Sequence, residues 1–359
     1  LSLGYAWIDT PVSRMAPVFG VYGLSFLIAV LAGCVWMLLS GSLRQRIIAS
    51  CIAGLLILVT MFSPAPESWT EPVREPISTA MVQGNISQDL KWRSDMRLPT
   101  LTHYQQMTRQ ITDARLIVWP EVALPVMLHE VRDDYLPTID REAKAKGASV
   151  VVGLLEQHEQ SNDMYNIARV LGVDQGHYRK RHLVPFGEYF PVPDFVMGAT
   201  LSVTGLEYSD FTHGPADQPP LVIAGETMGL SICFEDVFGD EIALAMPQAS
   251  ILINITNDAW FADSLAPHQH LQIARMRALE NGREIIRVAN TGISAHIAAN
   301  GEIRQRTEQF ETEVISAMIQ PRAGLTPYAR WRDWPLWLFA PLMLLLVWVL
   351  TCRSQSRQV

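Results

Sequence analysis

Three long apolar runs bracket a polar middle, an arrangement that no single water-soluble core accommodates. Val18 to Ser40 is almost uninterrupted apolar or small residues, Ile47 to Phe62 forms a second run, and Trp334 to Thr351 a third. A helix packed on a globular core shows a polar face, and none of these runs has one. They read as membrane spans, for which roughly 20 apolar residues are needed. The second run is shorter, and Arg46 completes it by laying its stem along the apolar surface with its head in water. Trp331, Trp334 and Trp337 lead into the third run as an interfacial aromatic belt. The chain is 49% hydrophobic and only 18% charged, and the excess of apolar residues is concentrated at the two ends.

Arg44 and Arg46 separate the first two runs, and Arg353 and Arg357 follow the last. The positive-inside rule makes both flanks cytoplasmic and puts residues 64 to 330 outside, which in a bacterium is the periplasm. The expectation is a multi-pass protein of the bacterial inner membrane. Its parts are a span region 1–63 (spans 18–40 and 47–62), a linker 64–77 punctuated by Pro64, Pro66, Pro72 and Pro76, an outer domain 78–325, a final span 331–351 and a tail 352–359. The chain opens without methionine or a basic signal sequence, which reads as the later part of a longer membrane protein. A net charge of −8 without a basic stripe argues against nucleic acid.

Within the outer domain, strand-like and helix-like segments alternate. Strands are expected at Thr79 to Gln83, Leu116 to Trp119, Ser149 to Leu155, Ile167 to Leu171, Leu221 to Ala224, Gly229 to Cys233, Ile251 to Ile255, Ile285 to Ala289 and Ile293 to Ala298. Helices are expected at Met96 to Asp113, Val131 to Lys146 ended by Gly147, Asp240 to Met246, and Pro267 to Asn281 ended by Gly282. Asn300-Gly301 reads as a two-residue hairpin turn. The alternation argues an α/β domain in which helices flank the sheet, with active residues at strand ends.

Of four cysteines, Cys34 and Cys51 lie in apolar runs and Cys352 closes another, leaving Cys233 alone in the polar middle. It has no disulfide partner in that domain, so its uses are packing or chemistry. The strand Gly229 to Cys233 turns abruptly acidic at Glu235-Asp236, which presents the thiol at a sheet rim. Leu116 to Trp119 likewise ends in Pro120-Glu121. That carboxylate is either a solvated loop residue or a buried base able to take a thiol proton. Tyr178 to His182 is a basic run, either surface or the source of an inward lysine at a developing oxyanion.

Trp119-Pro120-Glu121, Lys180 with His182 to Glu188 (HLVPFGE), Cys233-Phe234-Glu235 and Asn254 to Phe261 (NITNDAWF) together resemble the nitrilase superfamily. The HLVPFGE and NDAWF strings, and a domain held between spans, look specifically like the bacterial apolipoprotein N-acyltransferases. The resemblance implies an α-β-β-α sandwich between transmembrane helices, with Glu121 as general base, Lys180 as oxyanion partner and Cys233 as nucleophile. It implies Glu188 as a further essential carboxylate, Glu235 in support, and the Phe234 backbone N–H as second oxyanion donor. It implies no cofactor, a phospholipid acyl donor, a diacylated apolipoprotein acceptor and contact with membrane lipid. That family has about eight spans where three are read here. The alternatives are a membrane-anchored amidase or nitrilase-type hydrolase, and a silent lipoprotein-binding remnant.

Trp260 and Phe261 are core or pocket wall, and the resemblance favours the pocket; Asn166 and Phe190 are carried over as substrate-binding in the same way. The apolar segment Phe190 to Leu206 reads as a lid over the acyl group or as a cover for the domain's own core. His268-x-His270 opens a helix whose apolar residues fit ordinary packing, and no acidic or cysteine ligand set accompanies it, so no metal is expected. Arg275, Arg277 and Arg283 pair with Glu280 and Glu284 or face lipid phosphate.

Overall fold

Alternate side chains of the central strands enter two different apolar layers, and this divides the outer domain into a sandwich. The structure, a computed structural model, describes residues 2–158, 160–161, 163–190 and 211–355. One sheet has the order β13-β2-β3-β4-β5-β6, where β2 is Ile77–Gln83, β3 Leu116–Val118, β4 Ser149–Gln157, β5 Met164–Gly172, β6 Gly176–Arg179 and β13 Glu313–Ile319. The other has the order β12-β11-β10-β9-β8-β7, from β7 (Leu221–Ile223), β8 (Glu226–Ile232), β9 (Ile251–Thr256), β10 (Ile285–Ala289), β11 (Ala295–Ile297) and β12 (Ile303–Arg306). The centre of each sheet is parallel, β2-β3-β4 in one and β8-β9-β10 in the other. Parallel strands covered on both faces read as near-continuous apolar runs, as Leu116-Ile117-Val118 does.

Met81, Leu116 and Val118 of the first sheet meet Ile232, Ile253 and Ile255 of the second in the core between the sheets. Their neighbours Val82, Ile117 and Val150 face outward, to a layer carrying α3 (Arg97–Gln110) and α4 (Tyr135–Ala145). Leu252 and Ile285 face outward on the other side, towards α5 (Ala266–Asn281). The result is the expected helix–sheet–sheet–helix layering.

Element bounds differ from the sequence reading by a few residues, and several strands were not anticipated. The missed β13 alternates, with Ile315, Ala317 and Ile319 buried and Ser316 and Met318 exposed, so its signal was present. Short β6 and β12 lack such a pattern. Gly147 and Gly282 close their helices at φ +66° and +61°, as the stop signals required. The hairpin turn is one residue longer than expected. Ala299 and Asn300 are central, the Gly301 N–H donates to the Ala298 carbonyl, and Gly301 itself takes φ +78°.

The segment 64–77, read from its prolines as a semi-extended linker, contains two short ordered elements. Pro66–Trp69 forms a 3₁₀ turn and Thr70–Pro72 (β1) pairs antiparallel with Arg322–Gly324 (β14), tying both ends of the domain together. Pro66 and Pro72 are compatible with these elements because they sit at a first helical turn and on an edge strand.

Two described helices, α1 (Ala16–Ser40) and α2 (Leu43–Phe62), are long and apolar enough to cross a membrane; in α6 (Trp334–Gln355) the stretch Trp334–Leu345 is apolar but shorter. One face of the start of the first apolar run is covered by protein. Ala16, Val21 and Leu24, with Tyr5 and Ile8, are buried against Ile273, Met276 and Leu279 of α5. Apolarity alone does not distinguish a protein neighbour from a lipid one. α1 breaks at Gly20 (φ +62°), where a Cβ would lie 2.3 Å from the Tyr328 ring. The break lets the Val21 N–H donate to Glu280 Oε1 at 2.7 Å. α5 thus touches the first apolar helix at one end and, as shown next, the Cys233 turn at the other.

Candidate active site

Cys233 follows the end of β8 and adopts φ +53°, a left-handed conformation costly for a residue with a Cβ, on the order of 1–3 kcal/mol. The chain then winds into a one-turn 3₁₀ helix, Cys233–Val237. The sharp turn leaves the thiol half-buried at the rim of the sheet.

Glu121 follows β3 in a loop pressed against β4. A Cβ at Gly153 would lie 2.8 Å from the Glu121 Cα and 2.2 Å from the Pro120 carbonyl, so glycine there permits the close approach. Glu121 is buried, and Oε1 accepts from Lys180 Nζ (3.0 Å) and Asn166 Nδ2 (2.7 Å), while Oε2 accepts from the Asn257 backbone N–H (2.8 Å). Lys180, fully buried one residue past β6, also bonds Glu188 Oε1 at 2.8 Å. Glu188 is fixed in turn by the Val184 N–H at 2.8 Å. The ammonium therefore bridges two carboxylates. Burial alone would lower the Lys180 pKa, but Glu121 and Glu188 outweigh it and raise it well above the ordinary range.

The Cys233 thiol is raised well above its usual range, by burial first and by the Glu121 charge next, with Lys180 and a hydrogen bond from Thr256 pulling the other way. At neutral pH the sulfur is a thiol, so nucleophilic attack needs a base. Glu121 and Lys180 thus form a buried ion pair whose two charges act on the Cys233 thiol in opposite directions.

Glu235 is completely buried and joins the Cys233 turn to the Lys180 segment. It accepts from the Ile232 N–H (2.6 Å), the Arg181 N–H (2.7 Å), the His182 N–H (3.2 Å) and Tyr178 Oη (2.9 and 3.0 Å). Burial raises its pKa to about 7 despite these donors. Asn166, carried over as substrate-binding, has its Nδ2 donating to Glu121 at 2.7 Å and to Glu188 at 3.3 Å, so it also links the two carboxylates. Trp260 and Phe261 are 71% and 50% exposed, so neither is core. They stand on a one-turn 3₁₀ helix whose first residue, Asp258, is buried. The Phe190 ring packs edge-on against Phe186, and the rest of the expected lid, residues 191–206, lies outside the described residues.

Sequence reasoning missed a polar layer behind the cysteine. Arg287 of β10 bonds Asn254 Oδ1 (2.8 Å) and Asp258 Oδ2 (2.9 Å), and Asp258 Oδ1 faces His270 Nδ1 at 2.9 Å. Burial opposes the Asp258 charge, but His270 and Arg287 more than offset it and hold the carboxyl at about 2. His270, read from sequence as part of an ordinary packing face, is thus a polar contact of the site. The three arginines, Arg275 and Arg277 on α5 and Arg283 just past its end, are held by protein partners. Arg277 pairs with Glu280, Arg283 donates to the Ala249 and Gly324 carbonyls rather than to Glu284, and Arg275 pairs with Asp9.

Lys91 was also missed. It is 1% exposed, its ammonium has no hydrogen-bond partner among the described residues, and burial lowers its pKa to about 8 against the pull of Glu121. Its short helix is fastened to the site by Gln88 Oε1, which accepts from Asn257 Nδ2 at 3.3 Å. The positive charge is drawn to Glu121, yet its burial cost is the larger effect. Lys91→Met should therefore stabilise the protein by on the order of 3 kcal/mol at pH 7 while slowing the chemistry. The folded lysine releases its proton near pH 8 and the unfolded one near 10.5, so the penalty fades as pH rises through that window. Thermal unfolding should show a higher midpoint for the variant at pH 7, with the gap closing towards pH 10; a lower midpoint at pH 7 would contradict this.

Residues 78–328 match the carbon-nitrogen hydrolase family. The chain is 43% identical over 338 residues to an apolipoprotein N-acyltransferase of Methylococcus capsulatus, covering 93% of this chain and 66% of that protein. It is 37% identical over 347 residues to one of Nitrosomonas europaea, covering 96% and 69%. The chain spans about two thirds of the length of these relatives. Among solved structures, Saccharomyces cerevisiae Nit3 of the nitrilase superfamily superposes with TM-score 0.52 at 17% identity over 70% of this chain and 93% of its own. A Helicobacter pylori carbon-nitrogen hydrolase gives 0.50 at 18% identity over 74% and 95%. The sandwich, the placement of Glu121, Lys180 and Cys233 on it, and the extended identity to these relatives lead to one assignment: the chain belongs to the apolipoprotein N-acyltransferase family of carbon-nitrogen hydrolases.

Proposed function

We propose that this chain moves a fatty acyl group from a phospholipid to the N-terminal amine of a diacylglyceryl-cysteine lipoprotein, at the outer face of a bacterial inner membrane. The observation that carries the reading is the buried Glu121–Lys180–Glu188 bridge coupled to a half-buried thiol on a left-handed turn. Support for the acceptor comes from the names of the relatives, and support for the membrane setting from two long apolar helices joined to the catalytic sandwich through α5.

In the first half-reaction Glu121 takes the Cys233 proton as the sulfur attacks the ester carbonyl carbon. The negative charge that develops on the carbonyl oxygen is met by Lys180 and by the Phe234 N–H. The C–O bond to glycerol then breaks, and Glu121 returns the proton to the departing oxygen. In the second half the lipoprotein amine attacks the thioester, its proton passes to Glu121, the C–S bond breaks and the thiol is regenerated. Such kinetics are ping-pong.

Hydrolysis is the competing outcome at the same site. Membrane-reconstituted protein given phospholipid and a diacylated lipopeptide should yield N-acylated peptide. Free fatty acid formed at the same rate with or without the peptide would instead identify a hydrolase.

A further inference from the structure

Resting on the acyl-transfer reading, we propose that His270 is a positioning residue for the oxyanion site, acting through the Cys233–Phe234 peptide. That peptide has its carbonyl oxygen on one side and the Phe234 N–H on the other, because a trans peptide is planar and its two polar groups point in opposite directions. Fixing the oxygen therefore aims the N–H.

The Cys233 oxygen is held from the buried side. His270 Nε2 lies 3.2 Å from it, and Asn254 Nδ2 donates to it at 3.4 Å. A carbonyl is an acceptor, so His270 Nε2 carries a hydrogen. Its other nitrogen is locked by Asp258 at 2.9 Å, and both Asp258 and Asn254 are locked by Arg287. Two rigid elements thus meet the oxygen, β9 through Asn254 and the first turns of α5 through His270, and β10 braces both through Arg287. The Phe234 N–H belongs to the first turn of a 3₁₀ helix, where backbone donors have no intrahelical acceptor. It is free to meet the charge developing on the substrate oxygen. A donor at the carbonyl end of a peptide also polarises its N–H, strengthening the bond the N–H makes. The clamp has a second consequence, since it helps hold Cys233 at φ +53°.

The test separates oxyanion stabilisation from thiol reactivity. Acylation of Cys233 by an activated ester passes through a tetrahedral oxyanion, whereas alkylation by iodoacetamide does not. His270→Ala should slow acylation by at least about 10-fold, approaching the ~100-fold typical of losing one oxyanion donor, with alkylation unchanged. His270→Gln, whose amide can donate to the same carbonyl, should recover most of the acylation rate. Equal slowing of both reactions in both variants would overturn the proposal, as would acylation at the wild-type rate in His270→Ala. An activated ester makes this result independent of the lipid donor. Wild-type protein charged by the ester but never by phospholipid would sink the lipid-donor reading and leave the His270 assignment standing.

Discussion

Lys180→Met should cost both the fold and the reaction. The ammonium lies between Glu121 Oε1 at 3.0 Å and Glu188 Oε1 at 2.8 Å, with its own side chain 1% exposed. Its removal leaves two close carboxylates in a largely buried pocket without the ammonium that bridges them, a change that typically costs about 3–5 kcal/mol. The same substitution deletes an oxyanion partner, worth about 10²–10³ in rate. Thermal unfolding should show a large drop in midpoint. The double variant Lys180→Met/Glu188→Gln, with one fewer stranded charge, should regain part of the stability and none of the acylation rate. A single variant as stable and as fast as wild type would remove Lys180 from the site.

Glu121→Gln should give the opposite balance, a modest structural cost and a large kinetic one. Gln is nearly isosteric and keeps an acceptor for Asn166 or Asn257, but it cannot take a proton. Losing a general base slows a reaction by about 10²–10⁴. A second signature distinguishes this from general damage: the Glu121 charge helps push the Cys233 thiol upward, so neutralising it should move the onset of iodoacetamide alkylation to lower pH. The variant thiol should thus be more acidic and yet slower towards an ester. Unchanged single-turnover acylation would remove Glu121 from the base role.

Residues whose chemistry is announced by a local string were legible in the sequence. Cys233 was singled out as the lone thiol of the polar middle, and Glu121 as a carboxylate thrown out of a strand by proline; both stand at strand ends in one sandwich. The parallel strands were readable because burial on both faces makes them continuously apolar. What escaped was whatever depends on long-range pairing. His270 lies 37 residues from Cys233, and nothing in a helix-opening histidine reveals that its ring meets a carbonyl across the domain. Lys91 stands in a polar stretch that gives no hint of burial, and nothing beside Asn166 in the sequence shows that both carboxylates claim its amide. The docked start of α1 was invisible for a different reason: an apolar run looks the same whether protein or lipid covers it.

The α5 helix joins these levels. One end presents His270 to the nucleophile's peptide and the other accepts, through Glu280, the N–H exposed by the break at Gly20. Packing of an apolar helix and placement of the proposed oxyanion donor therefore share one rigid element.

The most direct measurement is intact-mass spectrometry of membrane-reconstituted protein incubated with phospholipid and no acceptor. The mass should rise by one fatty acyl group, peptide mapping should place it on Cys233, and a diacylated lipopeptide should remove it. A mass that stays unchanged, or an adduct that persists in Cys233→Ala, would contradict the thioester mechanism.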